Sequence, residues 1–239
     1  KKGTRLNSWK LYIADGLYTA DDFNITGEGL NRQYELKSGV VSGLSSGVRP
    51  GDIKYKDLNG DGKVDATNDR EILGDANPKF FGGMTNTFYY KGFELNVFLQ
   101  YSVGNKIYNY NAMELETPTG GTNAYADLVD RWTPEHPSTV YPKASTNRNI
   151  LVSDRFVEDG SYLKLKTLSL SYDFSKLKLK HIQGLRVYVT GQNLLTWTKY
   201  RGYDPEVSYK GASTLEAGED YGGYPQARTF MVGLKLDIK

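Results

Sequence analysis

The chain has 239 residues, 38% of them hydrophobic and 24% charged, with 30 basic against 28 acidic side chains. That length suffices for one or two domains with a core, while the dispersed, nearly balanced charge lacks the clustered positive field that holds nucleic acid. No run approaches the ~18 apolar residues of a membrane-spanning helix, and a chain without cysteine has no disulfide staple, thiolate metal site or cysteine nucleophile. Nineteen Tyr, nine Phe, three Trp and 26 Gly suit a β-rich chain with many turns. The opening Lys1-Lys2-Gly3, with neither Met nor a signal-like leader, reads as a cut inside a longer protein.

Residues 1–37 alternate apolar and polar side chains only around Trp9 to Ile13, and 38–51 is a Gly- and Ser-rich surface segment. Next comes Asp57-Leu58-Asn59-Gly60-Asp61-Gly62-Lys63-Val64-Asp65, which opens like an EF-hand calcium loop, with oxygen donors at positions 1, 3, 5 and 9 and Gly at 6. The expected ligands are Asp57, Asn59, Asp61, the backbone carbonyl of Lys63, Asp65 and Asp69, because Ca2+ is a hard cation that takes ~6–8 oxygens. Position 12 is Asn68, and Asp69 follows it. No helical pattern enters the loop, so an ion here would stiffen a loop rather than drive a sensor; without metal the same residues form an Asx-rich turn.

Strand signals begin at 80–90, where Phe80, Met84, Phe88 and Tyr90 share a side. The stretch 93–103 sets Phe93, Leu95, Val97, Leu99, Tyr101 and Val103 against Glu94, Asn96, Gln100 and Ser102, with Phe98 alone breaking the polar side. Residues 124–132 suggest a short helix stopped by Pro134 and Pro137. Further strands are predicted at 167–174, carrying Leu168, Leu170, Tyr172 and Phe174 on one face, and at 185–197, where Gly191 and Asn193 interrupt the apolar side. The last runs from Thr229 to the end, with Phe230, Val232, Leu234, Leu236 and Ile238 together.

The connections are one-sided. Lys91-Gly92 is a two-residue hairpin signal and 175–184 a modest turn, whereas 104–154 and 200–227 are long. Short turns at one end and long loops at the other, with strands of about ten residues and aromatics at their ends, describe a transmembrane barrel. A soluble β-sandwich, such as a secreted carbohydrate-binding module stiffened by the calcium loop, has the same alternation. Five strands cannot close in lipid, where open edges are not tolerated, so the barrel reading requires further strands elsewhere.

Catalytic constellations are absent. His136 and His181 are far apart in predicted connections, which opposes a Ser-His-Asp system or a His-rich metal site. Glu114, Glu116, Glu216 and Glu219 read as loop charges rather than a glycosidase pair. Loop aromatics Tyr108, Tyr110, Tyr200, Tyr203, Tyr221 and Tyr224 suit sugar stacking, an interface or loop packing. The expectation is a protein that is not an enzyme.

Several ordered motifs carry a family resemblance. The run from Gly51 to Gly62, Asp69-Arg70-Glu71-Ile72-Leu73-Gly74-Asp75-Ala76-Asn77-Pro78, the stretch from Arg155 to Lys166, that from Val189 to Thr198, Tyr203-Asp204-Pro205-Glu206 and Gly223-Tyr224-Pro225 together resemble the C-terminal barrel region of the SusC/RagA family of TonB-linked outer-membrane transporters. The calcium-type loop carries one residue more before Asp69 than the family spacing, and Lys239 stands where such barrels commonly end on an aromatic. The resemblance implies an all-β fold, the last strands of an antiparallel barrel of about 22 strands whose N-terminal plug lies elsewhere. Residues 1–78 would be an extracellular loop region containing the 57–69 loop, and 79–239 the transmembrane strands with their loops. It implies import of glycan or peptide fragments across a bacterial outer membrane, with a SusD-like surface lipoprotein as lid and TonB as energy source.

Overall fold

The computed structural model describes residues 3–43, 47–117, 123–138, 140–145, 150–174, 182–206, 209 and 217–238. His181, Glu216, Lys239 and most of the expected 175–184 turn lie outside them. The described residues form two regions: a sheet of five long strands, and a layer built by 3–78 with the long loops.

The sheet strands are β1 (Phe80–Tyr90), β2 (Phe93–Val103), β3 (Tyr162–Asp173), β4 (Ile182–Thr198) and β5 (Thr229–Ile238). Their order is β5-β4-β3-β2-β1, antiparallel throughout. Each reaches the ~9–11 residues needed to cross a bilayer at a tilt. The β1–β2 turn has Lys91 and Gly92 both at positive φ, 47° and 91°, the backbone of a type I′ hairpin.

Register sorts the two faces. One ladder runs Phe88, Leu95, Leu170, Val189, Val232 across all five strands. The next, one residue along, runs Thr87, Asn96, Ser169, Thr190, Met231, and its side chains hydrogen-bond sideways: Asn96 Nδ2 donates to Thr87 Oγ1 at 2.9 Å, and the Ser169 and Thr190 hydroxyls are 2.7 Å apart. The apolar face is bare: Phe88 is 59% exposed, Val232 78% and Ile238 71%. A β-sandwich would cover such a face with a second sheet; among the described residues nothing does. Aromatic rings sit at both margins of this face, Phe80 and Tyr101 (6.2 Å between centroids) with Trp197 at the long-loop end, and Phe93, Tyr172 and Phe174 (4.5 and 4.6 Å) at the hairpin end. Those are the positions of interfacial aromatic girdles.

The loop layer folds as a water-soluble protein does. Short strands Ser8–Leu11 and Glu71–Asp75 pair with each other, as do Ala14–Leu17 with Ile53–Tyr55 and Phe23–Thr26 with Gln33–Leu36. Lys106–Asn109 lies between Val157–Asp159 and Glu219–Asp220. Three buried clusters hold the layer: Leu11, Tyr108, Ala112 and Phe156; Tyr12, Ile53, Tyr55 and Val64; Tyr18, Phe23 and Val48. The first joins residues from both sides of position 78, and the Ala14 N–H donates to Asp154 Oδ1 at 2.8 Å across the same boundary. The expected 124–132 helix is a 3-10 turn at Ala126–Asp130, while an α-helix forms at Tyr110–Leu115, capped by Asn109, whose Oδ1 accepts from Ala112 N–H at 2.9 Å.

Candidate functional site

The six expected calcium ligands share one loop, where backbone N–H groups engage the carboxylates. Asp57 accepts from Gly60 and Gly62 at 2.7 and 2.6 Å, and Asp65 from Thr67 and Asn68 at 2.7 and 2.8 Å. Asp61 accepts from the Lys63 N–H at 3.1 Å and from Asn59 Nδ2 at 3.0 Å. Burial pushes the Asp57 carboxyl up, but the Gly62 and Gly60 N–H groups outweigh it and hold it below the usual range; the Asn68 and Thr67 N–H groups do the same for Asp65. Asp69 is fully buried and ties the loop's ends, its two oxygens accepting from Leu58 N–H at 2.7 Å and Asp65 N–H at 2.6 Å. Among the described residues no three acidic side chains converge in a metal-holding arrangement. The donor chemistry of Asp57, Asn59, Asp61, the Lys63 carbonyl and Asp65 fits a hard cation; Asp57 and Asp69 each have both oxygens on backbone N–H groups, and Asp69 differs in being fully buried.

A second cluster lies on the polar face of the sheet, where alternation gave no warning of it. Leu165 faces Leu99 and Leu195, while Thr167 faces Phe98 and Gln192, so Lys166 is an extra residue in β3. The bulge continues into β4 at Asn193, at φ 53°. Beside it Lys164, only 1% exposed, reaches Asp204 and Glu206, each at 2.5 Å, and Lys166 reaches Glu206 at 2.8 Å. Gln100 and Tyr162 also donate to Glu206 Oε1, at 3.1 and 3.2 Å. Burial raises the Asp204 and Glu206 carboxyls, but the hydrogen bonds from Lys164 prevail and hold both below the usual carboxylate range. Two lysines thus balance two acids, and the loop carrying Tyr203 is clamped to the wall. Asp204 Oδ2 also accepts from Gln226 N–H at 3.1 Å, drawing the segment that carries Tyr224 to the same clamp. Tyr203 and Tyr224 stay exposed, whereas Tyr108 and Tyr200 are buried, the latter donating to Asp220 at 2.5 Å.

Comparison with known proteins identifies what carries this wall. No protein-family model matches the chain. It is 42% identical over 218 residues, 85% of its length, to TonB-dependent receptor P3 of Formosa agariphila, and 35% identical over 203 residues to receptor P26 of the same organism. It is 29% identical over 197 residues to the TonB-dependent receptor SusC of Bacteroides thetaiotaomicron. The chain belongs to the SusC/RagA-like TonB-dependent receptors. It spans about a fifth of the length of these relatives (21%, 20% and 18%). Structures of the RagAB peptide importer, open-open and closed-closed, match its fold with TM-scores of 0.65 and 0.68 at 24% identity, over 96% and 98% of the chain and 22% and 23% of the RagAB chain.

As part of such a receptor, the polar face of the sheet is the lumen face and the apolar face meets lipid. Glu116, one of the acids weighed for glycoside hydrolysis, is 3% exposed, and its two oxygens pair with Arg155 at 3.2 Å and Arg201 at 2.7 Å. Arg201 also pairs with Glu158 at 2.9 Å, so Glu116 fastens the loops together. Exposed His136 lies in a turn, its N–H donating to Thr133 Oγ1 at 3.0 Å. The relatives are named as receptors, consistent with a non-enzyme.

Proposed function

We propose that the complete protein is a TonB-dependent outer-membrane transporter that imports glycan or peptide fragments, with a SusD-like surface lipoprotein as lid and TonB as energy source. The observation that supports this most is the sheet itself, with one bare apolar face ringed by aromatics and one hydrogen-bonded polar face to which a loop is clamped. No covalent chemistry is assigned to the chain. The test is fractionation and uptake in the native bacterium. The protein should enter the detergent-soluble outer-membrane fraction, and deleting either it or TonB should abolish uptake of a labelled oligosaccharide or peptide. Recovery in buffer without detergent, or uptake indifferent to both deletions, would sink the reading.

The 57–69 loop supports a second proposal, a structural Ca2+ bound through Asp57, Asn59, Asp61, the Lys63 carbonyl and Asp65, with Asp69 as the post joining the loop's ends. Both Asp57 and Asp65 are held ionised, as a cation requires. Calorimetric titration of the chelator-treated receptor with Ca2+ should show one site, lost in Asp61→Ala; a flat titration leaves the loop as a hydrogen-bonded turn.

A further inference from the structure

The loop layer contains a cavity of about 580 Å³, well apart in sequence from the Lys164 clamp, between residues 15–34 and 132–138. Its volume lies within the ~300–1,000 Å³ common for small-ligand sites. Tyr34, Trp132, Pro134, Pro137 and Ile25 supply its accessible apolar lining, behind which Tyr18 is fully buried.

The rings are fixed in place before any ligand arrives. Gly51 has φ +87°, and a Cβ there would fall 2.6 Å from the Trp132 ring, so the indole lies directly against the Gly51 backbone. The backbone N–H of Trp132 donates to the Tyr141 carbonyl at 3.0 Å, and the backbone N–H of Lys143 to that of Gly51 at 2.9 Å. Gly51 and Tyr18 are tied by a 2.7 Å backbone bond, and Lys143 pairs with Asp52 at 3.3 Å. Tyr34 is held between the edge of Phe23 (6.1 Å) and the Arg49 guanidinium (5.2 Å). Such preorganisation removes much of the ordering cost of binding.

The lining also indicates the ligand. Flat aromatic and proline surfaces suit the C–H faces of a ring, while Asp15, Asp21 and Arg32 around them offer both acceptors and donors for hydroxyl groups. Two acids against one base disfavour an anionic ligand. A proline-rich peptide docks on the same kind of rings; the charged acceptors and donors around them favour a polyhydroxyl ligand over it. We propose that this cavity is a binding site for a neutral saccharide, held by the loop layer independently of the lumen and of the transport reading.

The test uses the complete receptor in detergent, probed on an array of neutral gluco-, galacto-, manno- and xylo-oligosaccharides with decaproline alongside. The best binder is then measured by calorimetry. At least one neutral saccharide should bind, with affinity falling about tenfold or more in Trp132→Ala, as expected for a lost ring-stacking contact. Arg32→Ala and Asp21→Ala, both at exposed positions, should weaken binding too, and they decide the matter if the tryptophan variant misfolds. Binding of no array member, binding unchanged in the rim variants, or binding of decaproline alone overturns the proposal. Loss of uptake in a TonB-deleted cell bears only on transport, so binding that persists there leaves this site standing.

Discussion

The sheet and the loop layer come from one chain yet treat apolar side chains in opposite ways. In the layer, Leu11, Tyr108 and Phe156 disappear into a core, because water makes burial favourable by about 25 cal/mol per Å². In the sheet, Phe88, Val232 and Ile238 stand outward without cover, and the polar ladder faces in. The contrast shows that strand pairing is common to both regions and that the solvent sets which face is apolar. It also locates stability: packing holds the layer, whereas backbone ladders and ion pairs, those of Arg186 with Glu94 and Asp173 beside the Lys164 clamp, hold the wall.

The largest expected effect follows from that division. Phe156→Ala, at a fully buried ring, should destabilise the layer by about 3–5 kcal/mol. Hydrogen exchange should then rise through 106–117 and 153–159 while β1–β5 stay protected. Phe88→Ala, at the same residue type on the bare face, leaves no internal cavity and should leave the layer's exchange untouched. Equal responses to both would mean that the two regions share one core.

Next comes the clamp, where the regions meet. Lys164→Ala strands Asp204 and Glu206 together with only Lys166 to balance them, and breaking a buried pair of this kind costs about 3–5 kcal/mol. Limited proteolysis should cut within 200–206 in the variant and not in the parent. Lys235, paired with Asp237 at 3.8 Å where both are exposed, gives the control: its alanine variant should be silent. Cleavage unaffected by Lys164→Ala would show that the loop holds its place without the clamp.

These two cases also mark what the sequence discloses. β1 and β2 coincide with the alternating runs at 80–90 and 93–103, and β5 with the run from 229, because period two reports a strand with two different solvents. β3 begins at Tyr162 rather than 167, since the extra Lys166 shifts the phase and hides the first half of the strand. Phe98, out of place on the polar side, lies over Gly83, where a Cβ would come within 2.7 Å of its ring; only pairing across strands reveals that fit. The layer is barely legible, because its strands are two to five residues long and pair over distances such as Ser8 to Asp75. The clamp left one signal, two lysines spaced i, i+2 where the rest of the inward side carries mainly hydroxyls, but its acids lie 40 residues away.

A charge on the lipid face is expected to act more weakly than either core loss or a broken clamp. Val232→Arg should cost about 2–4 kcal/mol if the position lies near the bilayer midplane. Heat-modifiable migration on gels should show a reduced folded fraction, whereas Ser169→Ala, on the lumen ladder, should assemble normally. Normal assembly of the arginine variant would mean that Val232 does not meet lipid.

The smallest effect comes from acid, and it separates the clamp from both regions. Asp204 and Glu206 titrate below their ordinary range, against the push of burial, because Lys164 stabilises their charged forms. Their unfolded values, about 4, therefore lie above the folded ones, so the clamp's contribution is complete above about pH 4 and is lost as pH falls through the lowered values. As the pH falls below about 4, pepsin should begin to cut within 200–206 while the ladder amides of β1–β5 and the core around Phe156 remain protected. In Lys164→Ala that acid transition should vanish, because the loop is already loose at neutral pH. A transition of unchanged midpoint in that variant would assign the acid response to carboxylates outside the clamp.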